Sequence, residues 1–338
     1  MTELLRDIRA YLRADFKLAL YALTALWVAV LIAINYTLHL ENGLIDAQPL
    51  SPWRPVWYFG MYATAYYGAF WLWSQFHHRL DIWRNPRFWL HTLVALVVFS
   101  YYAGFAGYVD WAQQFSDYRL YLYAYKVFSN LHSILTIVLP LGLYYLFVDK
   151  NQSGFYGLKP KRKGLLVYLM LLGLMVPIIL FASFQPDFLE AYPTYRNLTP
   201  HEALHVPEWL TAFGYELAYG WDFVPTELIF RGFLIIGLSY VLRTGSPQTE
   251  NEVTTQPAYL TSPAIAQRGL ARPGPVLPMI VWYATIHFGR PLGETISSLF
   301  GGYILGVLAV STRSIWGGLF IHIGIAWLME AAAFWQLH

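Results

Sequence analysis

Residues 18–38, LALYALTALWVAVLIAINYTL, run for twenty-one positions without a charge, about the length an α-helix needs to cross the hydrocarbon core of a bilayer. Comparable apolar runs recur near 56–76, 88–108, 129–148, 165–184, 223–242, 294–311 and 315–336, with a shorter one at 276–289. Inside a bilayer the backbone finds no water to bond, so such runs must satisfy their own amides as helices. The chain therefore reads as an all-α, polytopic transmembrane helical bundle of about eight to nine spans. Its 12% of charged residues, against about 25% in soluble domains, agrees.

The net charge of +2 and the confinement of Lys and Arg to short clusters beside apolar runs give no basic face for nucleic acid. With no cysteine there is no disulfide framework, thiolate metal site or thiol nucleophile. The opening MTELLRDIRAYLRADFK sets Leu4, Leu5, Ile8, Tyr11, Leu12 and Phe16 opposite Arg6, Arg9 and Arg13, the pattern of an interfacial helix. The run at 18–38 is too long for a signal-peptide core and lacks a small-residue cleavage site, so it is expected to remain as the first span. Basic residues concentrate before it and in 77–87, 149–164 and 243–275, which by the positive-inside rule places the N-terminus in the cytoplasm and the C-terminus outside. A bacterial cytoplasmic (inner) membrane is the expected location. Trp53, Trp57, Trp71, Trp73, Trp89, Tyr101, Tyr102 and Trp111 lie near expected span ends and read as interfacial anchors.

Two cytoplasmic breaks organise the chain: 151–164, containing KPKRK at 159–163, and the Pro-, Thr-, Ser- and Gln-rich linker 243–275. They suggest an N-terminal amphipathic helix with a four-span extension over 1–150, and a membrane core over 165–338 that carries the linker. The external segment 185–208 is polar enough to form a cap or lid. KPKRK reads first as a topology signal and second as a contact for lipid headgroups.

Ionisable groups inside apolar runs are functional-site candidates by default, and three stretches of the C-terminal half carry them: PTELIFRGF (225–233), VWYATIHFGRPLGE (281–294) and SIWGGLFIHIGIAWLME (314–330). Glu227 and Arg231, four apart, share a helix face and can pair. Counting 1.5 Å per residue from the cytoplasmic span ends puts Glu227, His287 and His322 at roughly 22, 17 and 12 Å, all within the hydrocarbon. Gly301, Gly302, Gly306, Gly317, Gly318 and Gly324 would let the helices approach closely around a shared cavity. A carboxylate beside two imidazoles can activate water as general base and acid, or hold a divalent metal such as zinc that does so.

TELIFRGF, WYATIHFG and SIWGGLFIHIG resemble the three motifs of the CPBP family of membrane proteins, the CAAX prenyl endopeptidase type II and bacteriocin-processing (Abi-like) intramembrane proteases. The family pattern is Glu-Glu-x-x-x-Arg, Phe-x-x-x-His and His-x-x-x-Asn or Asp, and the likeness covers about 209–336. It implies that Glu227 and Arg231 match the second Glu and the Arg, Tyr283 the aromatic, and His287 and His322 the two histidines. It further implies a membrane endopeptidase in which the first Glu and the second-motif His activate water while the last His and the Asn stabilise the oxyanion. Thr226 stands where the first Glu belongs, and Ala326 where the Asn or Asp does.

Other carboxylates are candidates to fill the gap: Glu294 seven residues past His287, Glu330 two turns past His322, and Asp222 one turn before Thr226, unless they cap helices instead. The rival function is a catalytically degenerate member that binds a membrane partner or lipid in the same cavity. The N-terminal half raises a different class, since His91 and His132 sit where they could ligate a haem axially.

Overall fold

A computed structural model of the chain describes residues 2–150, 154–160, 164–244 and 275–337. Most of the linker, 245–274, and the last three residues of the KPKRK cluster lie outside the described residues. Among the described residues the protein is all-α, with no strand. Six helices are long and apolar enough to cross a membrane: Leu18–Leu38, Tyr118–Phe147, Leu165–Ala182, Glu208–Leu242, Leu292–Thr312 and Trp316–Leu337. They make it a multi-pass membrane protein.

The expected eight to nine spans are slightly more than these six. The helices Arg54–Phe76 and Pro86–Gly104 form where spans are expected, but their tyrosines, tryptophans and polar residues hold them below the hydropathy of the six. Val276–Thr285 is a 10-residue apolar helix, about 15 Å long and too short to cross alone. The stretch expected at 223–242 is the second half of a longer helical unit, Glu208–Leu242.

Aromatic side chains join the N-terminal half to the C-terminal half. Trp282, fully buried, meets Tyr62 and Tyr66 of Arg54–Phe76, Phe99 of Pro86–Gly104 and Phe230 of the first-motif helix, with ring centroids 5.3 to 5.9 Å apart. Such pairs add about 0.5–1.5 kcal/mol each beyond the area they bury.

The opening helix, Thr2–Asp15, turns Arg6, Arg9 and Arg13 outward and buries Tyr11. Asp15 is buried too, accepting hydrogen bonds from Tyr21 Oη (2.8 Å) and Trp73 Nε1 (3.2 Å). Trp73 is therefore a core residue and not an anchor, unlike Trp53, Trp57, Trp71 and Tyr101, which stay exposed. The segment 185–208 forms two short helices and is fastened where both oxygens of Glu330 accept from the Thr194 amide at 2.9 Å.

His91 and His132 serve the fold as well. His91 Nε2 lies 3.0 Å from the Phe233 carbonyl and its ring lies flat on Phe233 at 3.7 Å. That carbonyl belongs to the π-helical stretch Leu228–Gly237, where wider winding changes the i→i−4 bonding pattern. Both His132 ring nitrogens face backbone carbonyls, of Ser129 (2.8 Å) and Tyr102 (3.3 Å). Axial ligation of a haem needs an open nitrogen, and His132 offers none. The haem expectation is set aside on that ground.

Candidate functional site

The helix Glu208–Trp221 gives way at Asp222 to the turn Phe223–Glu227, and Tyr102 fixes the junction by donating to both Asp222 oxygens at 2.9 and 3.1 Å. One turn on, Glu227 projects into the bundle with no exposed surface. Arg231 pairs with it as the i,i+4 spacing predicts, Nη1 standing 3.0 Å from Oε1. The guanidinium also lies over the Tyr283 ring, 4.2 Å from its centroid, a placement that favours a buried cation.

His322 arrives from the helix Trp316–Leu337. Its Nδ1 is 2.8 Å from Glu227 Oε1 and its Nε2 is 3.0 Å from Tyr283 Oη. Gly318 precedes it by one turn, and a Cβ there would collide with Glu227 Oε2. That glycine is what admits the carboxylate to the imidazole. Gly302 and Gly306 similarly admit Tyr283 and Val276, whereas Gly301 faces open space.

His287 occupies the turn after Val276–Thr285, with Nδ1 2.9 Å from its own helix's Tyr283 carbonyl and its ring edge-on to the Tyr283 ring at 4.9 Å. The first span holds this turn. Asn35 Nδ2 donates to the Phe288 carbonyl at 3.1 Å, Tyr36 Oη donates to the Arg290 carbonyl at 2.7 Å and meets Thr295 Oγ1 at 2.8 Å, and Thr295 Oγ1 donates to the His287 carbonyl at 2.6 Å. Long-range hydrogen bonds from residues some 250 positions away are invisible to motif reading, so Asn35 and Tyr36 are absent from the expected site; Thr295, eight residues past His287, is absent because a hydroxyl is no part of a carboxylate–imidazole pattern.

The result is a cluster in which Tyr283 stands between the two histidines and Glu227 touches one of them. Glu227 Oε1 is shared, 3.0 Å from Arg231 Nη1 and 2.8 Å from His322 Nδ1, while Glu227 Oε2 and Arg231 Nε and Nη2 have no hydrogen-bond partner among the described residues. Polar atoms left without a partner on two fully buried ions are costly and single this cluster out from the rest of the bundle.

The remaining candidates fall elsewhere. Glu330 is engaged with Thr194 and Asp222 with Tyr102, so both act as fastenings. Among the described residues no hydrogen bond or ion pair joins the Glu294 carboxylate to His287. The Thr226 hydroxyl turns back to the Asp222 carbonyl at 3.0 Å, and Ala326 is buried. A metal held by Glu227, His287 and His322 does not fit: among the described residues no three His, Cys, Asp or Glu side chains cluster to hold one.

Above the His287 turn lies a buried acid. Glu41, in the turn Leu40–Ile45, packs against Gly289 and is 7% exposed, with Oε2 unpartnered. Burial pushes its carboxyl up to about 7, the Asp46 charge adding to the rise and Tyr58, Arg290 and Arg54 opposing it. An unfolded Glu titrates near about 4.3, so between these values the folded protein holds a proton that the unfolded chain has released. Stability contributed by this group falls as pH rises from about 4.5 to about 7. Glu41→Gln should thus gain on the parent as pH is raised through that window, measured by thermal unfolding of the full chain in detergent; a difference that does not vary with pH would refute it.

Fold and cluster together define a multi-pass membrane protein with a buried carboxylate–imidazole centre. Compared with family models, curated proteins and solved structures, the chain matches none.

Proposed function

We propose that the protein is an intramembrane endopeptidase of CPBP (CAAX protease-like) type, a hydrolase that activates water at Glu227, His322 and His287 and acts on a membrane protein or peptide. The observation that carries this reading is the convergence of three separate stretches on one buried cluster, with Glu227 Oε1 2.8 Å from His322 Nδ1 and 3.0 Å from Arg231 Nη1. Imidazoles at hydrogen-bond distance from a carboxylate are standard proton carriers, and a guanidinium can stabilise developing negative charge on a carbonyl oxygen.

The location proposed is a bacterial cytoplasmic membrane with the N-terminus inside, in contact with membrane lipids. Support comes from contacts that gather the basic segments at one end of the bundle. Arg79 Nη2 reaches the Leu242 carbonyl (3.4 Å), Arg313 Nη2 the Ile236 carbonyl (3.4 Å) and Ser314 Oγ the Lys159 carbonyl (3.5 Å). Such a basic end is the one retained in the cytoplasm.

A second reading, a degenerate scaffold that binds a lipid or partner without cleaving it, is favoured by Thr226 and Ala326, which supply neither a carboxylate nor an oxyanion donor. The two readings separate when the purified chain in lipid nanodiscs is given a library of membrane-spanning peptides. The endopeptidase reading predicts cleavage that falls by about 10²-fold or more in His287→Ala and in His322→Ala, with both variants folded. Absence of cleavage by the parent protein would leave the scaffold.

A further inference from the structure

We infer that Tyr283 is a catalytic proton-relay residue, its hydroxyl standing in for the carboxylate that Thr226 does not provide. This rests on the endopeptidase reading. Tyr283 is a tyrosine at a position for which the family resemblance asks only an aromatic ring, and its hydroxyl is the atom that touches His322, 3.0 Å from Nε2. On the far side of the same imidazole, Nδ1 lies 2.8 Å from Glu227 Oε1. A carboxylate at Nδ1 holds the proton of a neutral imidazole there and leaves Nε2 as the acceptor. Nε2 then accepts from the phenol.

Carboxylate, imidazole and hydroxyl in this order form an activated triad, in which the third group is the one made reactive. Arg231 completes the arrangement. Its guanidinium over the Tyr283 ring, 4.2 Å from the centroid, favours negative charge on the phenol oxygen as the proton leaves. The two neighbours that could compete are turned elsewhere: the Thr226 hydroxyl is bonded back to the Asp222 carbonyl and His287 Nδ1 faces the Tyr283 carbonyl.

The step balances without a co-reactant beyond water. As water adds to the scissile carbonyl carbon, one water O–H breaks and its proton passes to Tyr283 Oη, while the phenol proton passes to His322 Nε2. The new imidazolium faces Glu227. The carbonyl π pair moves to its oxygen; on collapse it returns, the C–N bond breaks, and the leaving nitrogen takes the proton back through Tyr283 from His322.

The test has an arm that needs no substrate. In the full chain labelled with ¹⁵N-histidine in nanodiscs, the His322 signal is assigned by its loss in His322→Gln. His322 should be a neutral imidazole with Nδ1 protonated and Nε2 accepting, and Tyr283→Phe, which keeps the ring over Arg231, should shift the His322 Nε2 resonance while leaving the other histidines in place. In the second arm, Tyr283→Phe should cleave the peptide library about 10²- to 10⁴-fold more slowly than the parent, and fluorotyrosine at 283, with its more acidic phenol, should restore cleavage and move the pH–rate profile to lower pH. An Nε2 resonance unmoved by Tyr283→Phe overturns the relay whatever the activity, and so does full-rate cleavage by that variant. A moved resonance with no cleavage by the parent protein leaves Tyr283, His322 and Glu227 coupled but sinks the endopeptidase reading, and the catalytic role with it.

Discussion

Glu227→Ala is expected to destabilise the folded protein by about 3–5 kcal/mol, the usual consequence of removing one partner from a buried ion pair. Arg231 is fully buried, and the carboxylate at 3.0 Å is its only ion-pair partner among the described residues. Without that anion its charge faces the Tyr283 ring alone. Removing both charges separates stability from chemistry. Glu227→Met with Arg231→Met should recover most of the loss, because an apolar replacement of a buried pair is commonly neutral or stabilising, yet that protein should cleave nothing. Unfolding in detergent, followed by circular dichroism, measures both variants. A loss below about 1 kcal/mol in Glu227→Ala would mean that the pair is solvated in the folded protein and does not behave as a buried ion pair.

Gly318→Ala is the second large effect, and it should fall on activity more than on folding. One added methyl would sit on Glu227 Oε2, so the carboxylate must leave its place against His322 or the helix Trp316–Leu337 must shift. A displacement of about 1 Å at a reacting group can remove about 10²-fold in rate. Cleavage should fall by that factor or more while the variant still purifies as a folded monodisperse protein. Gly301→Ala, which enters open space, is the control and should retain parental activity. Equal activity in the two variants would show that close contact between Glu227 and His322 does not matter to function.

The sequence made some of this site legible because its clues are local. The Glu227–Arg231 pair follows from helical spacing, and the joint placement of Glu227 and His322 follows from topology and the rise of a helix, even though their heights differed by roughly 10 Å on that count. Short range is also where the clues end. Glu330 and Asp222 look like spare carboxylates until Thr194 and Tyr102 are seen bonded to them, and both contacts span more than a hundred residues. Trp73 looks like an anchor until Asp15 is seen to fold back onto it. His91 looks like a ligand until the π-helical turn presents the Phe233 carbonyl. The expected eight to nine spans stand slightly above the six most apolar helices because length alone does not separate those from the Tyr- and Trp-rich helices Arg54–Phe76 and Pro86–Gly104, whose rings pack against Trp282.

The N-terminal half matters to the site in this light. Asn35 and Tyr36 tie down the turn that carries His287, and His91 bonds within the stretch that carries Arg231. These contacts put positioning groups some 140 to 250 residues from the side chains they hold, so their effect is legible in the fold and not in any motif.

The most direct test of the central claim, that this buried cluster activates water, is cleavage of a membrane-spanning peptide in nanodiscs prepared in H₂¹⁸O, with the products weighed by mass spectrometry. The account predicts one ¹⁸O in the new C-terminal carboxylate for the parent protein, and loss of that product in His322→Ala. Peptide left intact by the parent, or the same labelled product at the same rate from His322→Ala, would contradict it.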